Sequence, residues 1–366
     1  MKLKKTVAWL MNRVQRSLFP HLEECCGREL TEQERQVVRI LDVARIEEHL
    51  PYGMKPVGVG RKPKERAAIA RALVVKASCR YKTTEDLVKA LRTTPVLRRI
   101  CGFERQADVP SAATFSRVFR MLAEAGFGEK VHAQMVGIYA GGLLVGHISR
   151  DSTAIEGREK PVRRGKPVRV ARKRGRPRKG EIRIPEPTRL ERQRTQTVEE
   201  MVGELPVACD IGIKRNAQGF QTKWKGYKLH LDVTDGGLPV NALLTSASVH
   251  DSQVAIPLMR TTSKRVTYLY DLMDAAYDAE VIRDESRSLA HVPIIDRNKR
   301  RGTRAPMAPH ERARYKERSV AERCNSTLKE NFGGRDVMVR GHRKVMLHLM
   351  LGVIALFADQ LIRLCG

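Results

Sequence analysis

Asp235-Gly236-Gly237 stands between two apolar runs, WKGYKLHLDVT before it and LPVNALLTSA after it. Such a turn joins antiparallel strands, because glycine adopts the positive φ that a tight reversal requires. The middle of the chain is therefore a hairpin, and the sequence on either side has to be fitted to it. Upstream, GLLVGHISRDSTAI reads as a first strand. Downstream, VTYLYDLMD and HVPIIDRN are short β-branched and aromatic runs, while residues 251–260, 278–288 and 315–330 show helical spacing. Three strands in a meander, then strands alternating with helices, predict a mixed α/β sheet flanked by helices.

Before residue 143 the texture is helical. LTEQERQVVRILDVARIEEHL opens with Thr31 and Glu34 at capping-box spacing. RKPKERAAIARALVVKASC continues the pattern, and KTTEDLVKALRTTPVLRRI repeats it with Thr83 or Thr84 as cap. VPSAATFSRVFRMLAEAGF starts on Pro110 and Ser111 and ends before Gly126. The expected division is a helical N-terminal domain over 1–142 and the sheet domain over 143–366. Short basic helices suit a helix-turn-helix reader of DNA, or a subdomain that packs on the sheet domain. The start, MKLKKTVAWLMNRVQRSLFP, places basic residues before an apolar run as a signal peptide does. Asn12, Arg13 and Gln15 interrupt that run, and no small-residue cleavage site follows. Near the other end only 10 apolar-rich residues separate His348 from Asp359, short of the ~20 that span a bilayer. A buried terminal helix is expected there. The seven cysteines include no C-x-x-C pair, which suits reduced thiols in a cytosolic protein.

Charge narrows the partners. Lys and Arg number 69 against 41 Asp and Glu, a net charge of +28 with a pI near 10.2. A nucleic acid is the first expectation for such an excess and an anionic membrane the weaker one. Residues 160–180 hold eleven Lys or Arg and no acid. They lie in an insert, 158–205, expected to be disordered because such a block has nothing to bury. Arg174 and Arg176, in Arg174-Gly175-Arg176-Pro177, form an extended basic segment of the kind that fits a narrow A·T minor groove. The plainer alternative is an electrostatic tether without sequence choice.

Chemistry on a phosphodiester commonly uses two divalent ions about 3.5–4 Å apart, and hard cations take carboxylates. Three acids stand where predicted elements place them together: Asp151 at the end of the first strand, Asp274 after the fourth, and Glu322 on the late helix. Singly, each suits an exposed turn or cap. Jointly, in the order strand, strand, helix, they match a ribonuclease H-like core. Around Glu322, the stretch YKERSVAERCNSTLKENF sets Tyr315, Arg318, Glu322 and Lys329 at offsets of 3, 7 and 14. On an α-helix these fall within a stripe about 60° wide.

Tyr315, Arg318, Glu322 and Lys329 match Tyr-x2-Arg-x3-Glu-x6-Lys with every gap in place. In this the chain resembles bacterial insertion-sequence transposases of the DDE class. The resemblance extends through RDSTAI, WKGYKLHL, GLPVNALLTSASVHDS and DAAYD. It covers residues 95–366, with LRRICGFERQADVPSAATFSRVF similar to the family's N-terminal region. It implies that Asp151, Asp274 and Glu322 bind two Mg²⁺ ions, with Mn²⁺ as a substitute. Tyr315, Arg318 and Lys329 would contact phosphates or terminal bases. The implied reaction cleaves at the ends of the chain's own element and joins the freed 3′-hydroxyl to target DNA. Implied partners are terminal inverted repeats, target DNA and further copies of the chain, a homodimer or larger, in the bacterial cytoplasm and not at a membrane.

Among rival acids, Asp271 and Asp278 bracket Asp274, but the family spacing selects Asp274 with Tyr277. Asp210 reads as structural, and Asp251 as a helix cap or a site residue. Ala276 stands where the family often has glycine, and the large insertion some relatives carry between Asp274 and Glu322 is absent. Neither change touches the three acids, so an active enzyme is expected. Two rivals are a non-catalytic DNA-binding regulator derived from a transposase and a stand-alone metal-dependent nuclease.

Overall fold

The structure, a computed structural model, describes residues 2–50, 65–162, 186–215, 218–298 and 306–365. Arg174 and Arg176 lie outside the described residues. Helices come first: α1 (Lys2–Arg13), α2 (Phe19–Cys26), α3 (Glu32–Ala44), α4 (Arg66–Ser78), α5 (Thr84–Thr93), α6 (Pro95–Cys101), α7 (Ala112–Glu124) and α8 (Phe127–Tyr139). Their starts follow the sequence. Thr31 accepts from the Glu34 N–H at 3.3 Å and Glu34 from the Thr31 N–H at 2.8 Å, a reciprocal capping box. At α5 the cap is Thr83, bonded in the same way to Asp86. Ser111 precedes α7 without capping its backbone.

The sheet contains β1 (Leu144–Glu156), β2 (Asp210–Arg215), β3 (Gln221–Thr234), β4 (Pro239–Ser246), β5 (Thr267–Met273) and β6 (Val292–Ile295). The long strand β3 runs antiparallel to β1 along one edge. Along its other edge it pairs first with β2 and then with β4. Beyond β1, strands β5 and β6 run parallel to it. This is the expected mixed, ribonuclease H-like sheet. The β3–β4 turn is the Asp235-Gly236-Gly237 reversal, with Gly237 at φ +80° and its N–H donating to Thr234 O at 2.9 Å.

β2 is a strand that the pattern did not foretell. It pairs only with the first half of β3, and Ile211 and Ile213 stay about half exposed, so no buried face writes an alternation into the sequence. Gly212 is required there, since a Cβ would collide with the Trp224 ring. The count of strands shifts accordingly, and Asp274 follows β5.

The later helices are α9 (Arg189–Gln193), α10 (Val198–Gly203), α11 (Ser252–Ser263), α12 (Glu280–Ser288), α13 (Pro309–Tyr315), α14 (Ser319–Asn331) and α15 (His342–Cys365). The disorder expected over 158–205 does not hold for its last part. Residues 186–205 carry α9 and α10, which pack on α11 with Met201 and Gln193 fully buried. The basic run alone had nothing to bury; the segment after it has Leu190 and Met201. α11 and α12 lie on one face of the sheet, where Thr262 and Ser286 donate to Asp232 and Asp271. α14 lies on the other face, with α15 and α8 behind it.

α15 is the expected buried terminal helix, apolar over its length and 83% buried in its most apolar window. It also crosses the expected 142/143 boundary, packing on α3, α4, α7 and α8 as well as on α14 and β4. The apolar faces of the N-terminal helices close around it, so they form a packed layer on the sheet domain.

Candidate active site

The parallel register of β1 and β5 brings two of the three acids together. Ile148 is paired with Asp271 and Ser149 with Leu272. Continuing that offset sets Asp151 opposite Asp274, on neighbouring strands about 4.8 Å apart and on the same face. Asp151 does not end its strand, as the sequence suggested. β1 continues to Glu156 because β3 pairs with it that far, and Asp151 lies two residues beyond its last pair with β5, Ser149 with Leu272. Asp274 caps a short 3₁₀ turn, accepting from the Ala276 N–H at 2.9 Å.

α14 brings its residues over this pair. The Asn325 Nδ2 donates to Asp151 Oδ2 at 3.1 Å, and Arg318 Nη1 lies 3.7 Å from Asp151 Oδ1. Arg318 also pairs with Glu322, one turn along the helix. Glu322 is 56% exposed and turned onto that guanidinium. Tyr315 is half-buried, with the Arg318 guanidinium 5.8 Å from its ring centre. Lys329 lies two turns beyond Glu322, about 10 Å along the helix. The helix is not uniform, since residues 316–318 form a 3₁₀ turn between α13 and α14. Its tighter winding moves Tyr315 around the axis relative to Glu322, so the flat 60° stripe is distorted at its first member.

The electrostatics are those of crowded carboxylates. Burial pushes the Asp151 carboxyl up to about 6; Arg318 opposes this, while Asp274 and Glu322 add to it. Asp274 is also raised, by burial first, with Asp251 adding and Arg318 and Lys214 opposing. Lys329 is lowered by burial and by the nearby cations Arg335 and Lys214. Lys214, on β2, therefore bears on both Asp274 and Lys329. It was not foreseen, because the strand that carries it was not.

The rival acids fall into structural places. Asp271 is fully buried on the opposite face of the sheet, 3.3 Å from Arg150 Nη1, and accepts from Tyr268 and Ser286. Arg150 pairs at 2.7 Å with Asp232 as well, so one buried guanidinium ties β1, β3 and β5 together directly beneath the site. Asp278 pairs with Arg283 at 2.8 Å. Asp210 opens β2. Asp251 precedes α11 but makes no side-chain cap. It meets Lys228 Nζ at 2.9 Å instead. Burial raises its pKa, yet His230, Lys228 and Ser152 together hold it below the usual range. Asn325 was missed, although a signal was present: its offset of 10 from Tyr315 falls about 20° outside the stripe.

Two family models match the chain. One, described as Transposase DDE domain, matches residues 151–358 and begins at Asp151 itself. The other, described as Transposase domain, matches residues 28–121. The first covers more than half of the chain. The chain belongs to the DDE transposase family. No curated protein and no solved structure matches it. The N-terminal helices of this transposase are thus a family feature as well.

The donors around Asp151 and Asp274 fit a hard divalent cation. They are oxygens, they repel one another, and Asn325 Oδ1 is buried beside them without a hydrogen-bond partner. Among the described residues no three His, Cys, Asp or Glu side chains stand close enough to enclose a metal ion, and Glu322 faces Arg318. Mg²⁺ is usually held by one or two carboxylates, with water and substrate completing its shell, and Asp151 and Asp274 can supply those.

Proposed function

We propose that this transposase binds the ends of its own insertion sequence, hydrolyses a phosphodiester there and joins the freed 3′-hydroxyl to target DNA. The observation that carries the reading is the convergence of Asp151 and Asp274 on adjacent strands under the α14 face bearing Arg318, Glu322 and Lys329. Asp151 and Asp274 would hold the cations, Mg²⁺ or Mn²⁺, and Glu322, freed when Arg318 pairs with a DNA phosphate, would join them. Bound there, two divalent ions stabilise the charge that develops on the attacking and leaving oxygens. The residues do the rest. Arg318 forks onto phosphate and Lys329 supplies a compact charge further along the strand, while Tyr315 packs at the end of the track. In the first transfer a water oxygen bonds to phosphorus and the 3′-oxygen leaves with a proton. In the second that 3′-hydroxyl attacks a target phosphodiester and displaces its 3′-oxygen. No covalent protein intermediate is required, so Tyr315 is not a nucleophile.

The basic face extends the DNA path. Lys76, Arg80, Arg340 and Lys344 surround a cavity of about 190 Å³ between the N-terminal helices and the start of α15. None of the four forms an ion pair among the described residues. Burial lowers Lys76 to about 8, and Asp336, which lines the same cavity, only partly opposes this. We assign this transposase to the bacterial cytoplasm, acting as a dimer or larger on paired ends.

The test is a labelled duplex from the DNA flanking this reading frame, incubated with supercoiled plasmid and Mg²⁺. Joined product from the wild type, reduced at least a hundredfold in Glu322→Gln, is expected. Cutting without joining would make the protein a nuclease. Binding by both proteins with no cleavage in Mg²⁺ or Mn²⁺ would make it a DNA-binding regulator.

A further inference from the structure

Asn325 is 5% exposed and sits on α14 three residues past Glu322. Its two polar atoms are used unequally. Nδ2 donates to Asp151 Oδ2 at 3.1 Å, whereas Oδ1 is buried with no partner. A buried acceptor left unpaired costs about 1–3 kcal/mol, and native chains keep such an atom where water or a ligand completes it. Packing alone does not call for an amide, since leucine would fill a similar space. Asp151 is divided by α14: the Asn325 amide fixes one oxygen, and the other faces the cation Arg318 at 3.7 Å.

We infer that Asn325 is a positioning residue of the cation site. Its Nδ2 sets the orientation of Asp151, and its free Oδ1 accepts a hydrogen bond from a hydration water of the divalent ion. The inference rests on the metal-site reading above. Groups that orient a metal ligand typically change metal affinity 10–100-fold when removed.

The experiment measures Mn²⁺ binding to the DNA-free protein by the electron paramagnetic resonance signal of the free ion. It compares wild type with Asn325→Ala, Asn325→Leu and Asp151→Asn, with melting in EDTA as the check on folding. The expected result is Mn²⁺ binding at least tenfold weaker in both Asn325 variants, with melting in EDTA close to wild type. Folded Asn325 variants that bind within about twofold of wild type, while Asp151→Asn loses binding, would overturn the role of Asn325 and leave the cation site standing. Binding retained by Asp151→Asn would instead remove the cation site. Should neither apolar variant fold, Asn325→Asp decides. It keeps the size and sets a carboxylate against Asp151, so the onset of Mn²⁺ binding should move to higher pH; an unmoved onset overturns the inference.

Discussion

Asp151 is held in a place that costs stability. Its carboxyl is raised from 3.8 to about 6, chiefly by burial, and Arg318 only partly offsets this. A raised acid binds its proton more tightly folded than unfolded. Its contribution to stability is therefore present below about pH 4 and lost as pH rises through about 6. At higher pH the buried charge costs on the order of 3 kcal/mol. Asp151→Asn should stabilise the metal-free protein by about that amount at pH 8 and change little at pH 4. Urea unfolding in EDTA at the two pH values checks this, and an equal effect at both would mean that the charge is not strained. Activity should be lost in the same variant, because a neutral amide holds a divalent ion poorly.

At the scale of elements, the site is two layers joined through one sheet. α14 covers the face with Asp151 and Asp274, and α11 and α12 grip the opposite face through Asp232, Arg150 and Asp271. The grip fixes the register of β1 against β3 and β5, and with it the spacing of the two acids one layer above. Breaking a buried ion pair from one side leaves an uncompensated charge, at about 3–5 kcal/mol. Arg150→Met, which leaves Asp232 and Asp271 buried without their cation, is expected to lower unfolding stability by that order while leaving every residue on the α14 face unchanged. A loss below about 1 kcal/mol in denaturant titration would show that the network does not clamp the sheet.

For the whole molecule, α15 makes the N-terminal helices and the sheet one packed body. The cavity at their joint brings cations from both parts together. If DNA crosses this joint, each phosphate neutralised adds about −0.9 to the slope of log affinity against log salt. The double variant Arg340→Ala, Lys344→Ala should bind end DNA more weakly, with a slope shallower by about 2, as filter binding over a salt series would show. An unchanged slope would place the DNA elsewhere.

Local pattern was enough for much of this. Capping residues at Thr31 and Thr83, the Asp235-Gly236-Gly237 turn and the apolar terminal helix are decided within a few residues, so the sequence carries them openly. Asp151, Asp274 and Glu322 were singled out as candidates by the order of elements and a resemblance in motif spacing. Side-chain partners were decided by folding. Asp251 precedes a helix and looks like its cap, yet meets Lys228 across the sheet. Arg150 sits beside Asp151 in the chain and points to the opposite face. β2, an edge strand with an exposed face, left no alternation to detect. Asn325 reaches Asp151 across 174 residues of chain. Contacts of that kind depend on strand register and helix rotation, which only the packed chain fixes.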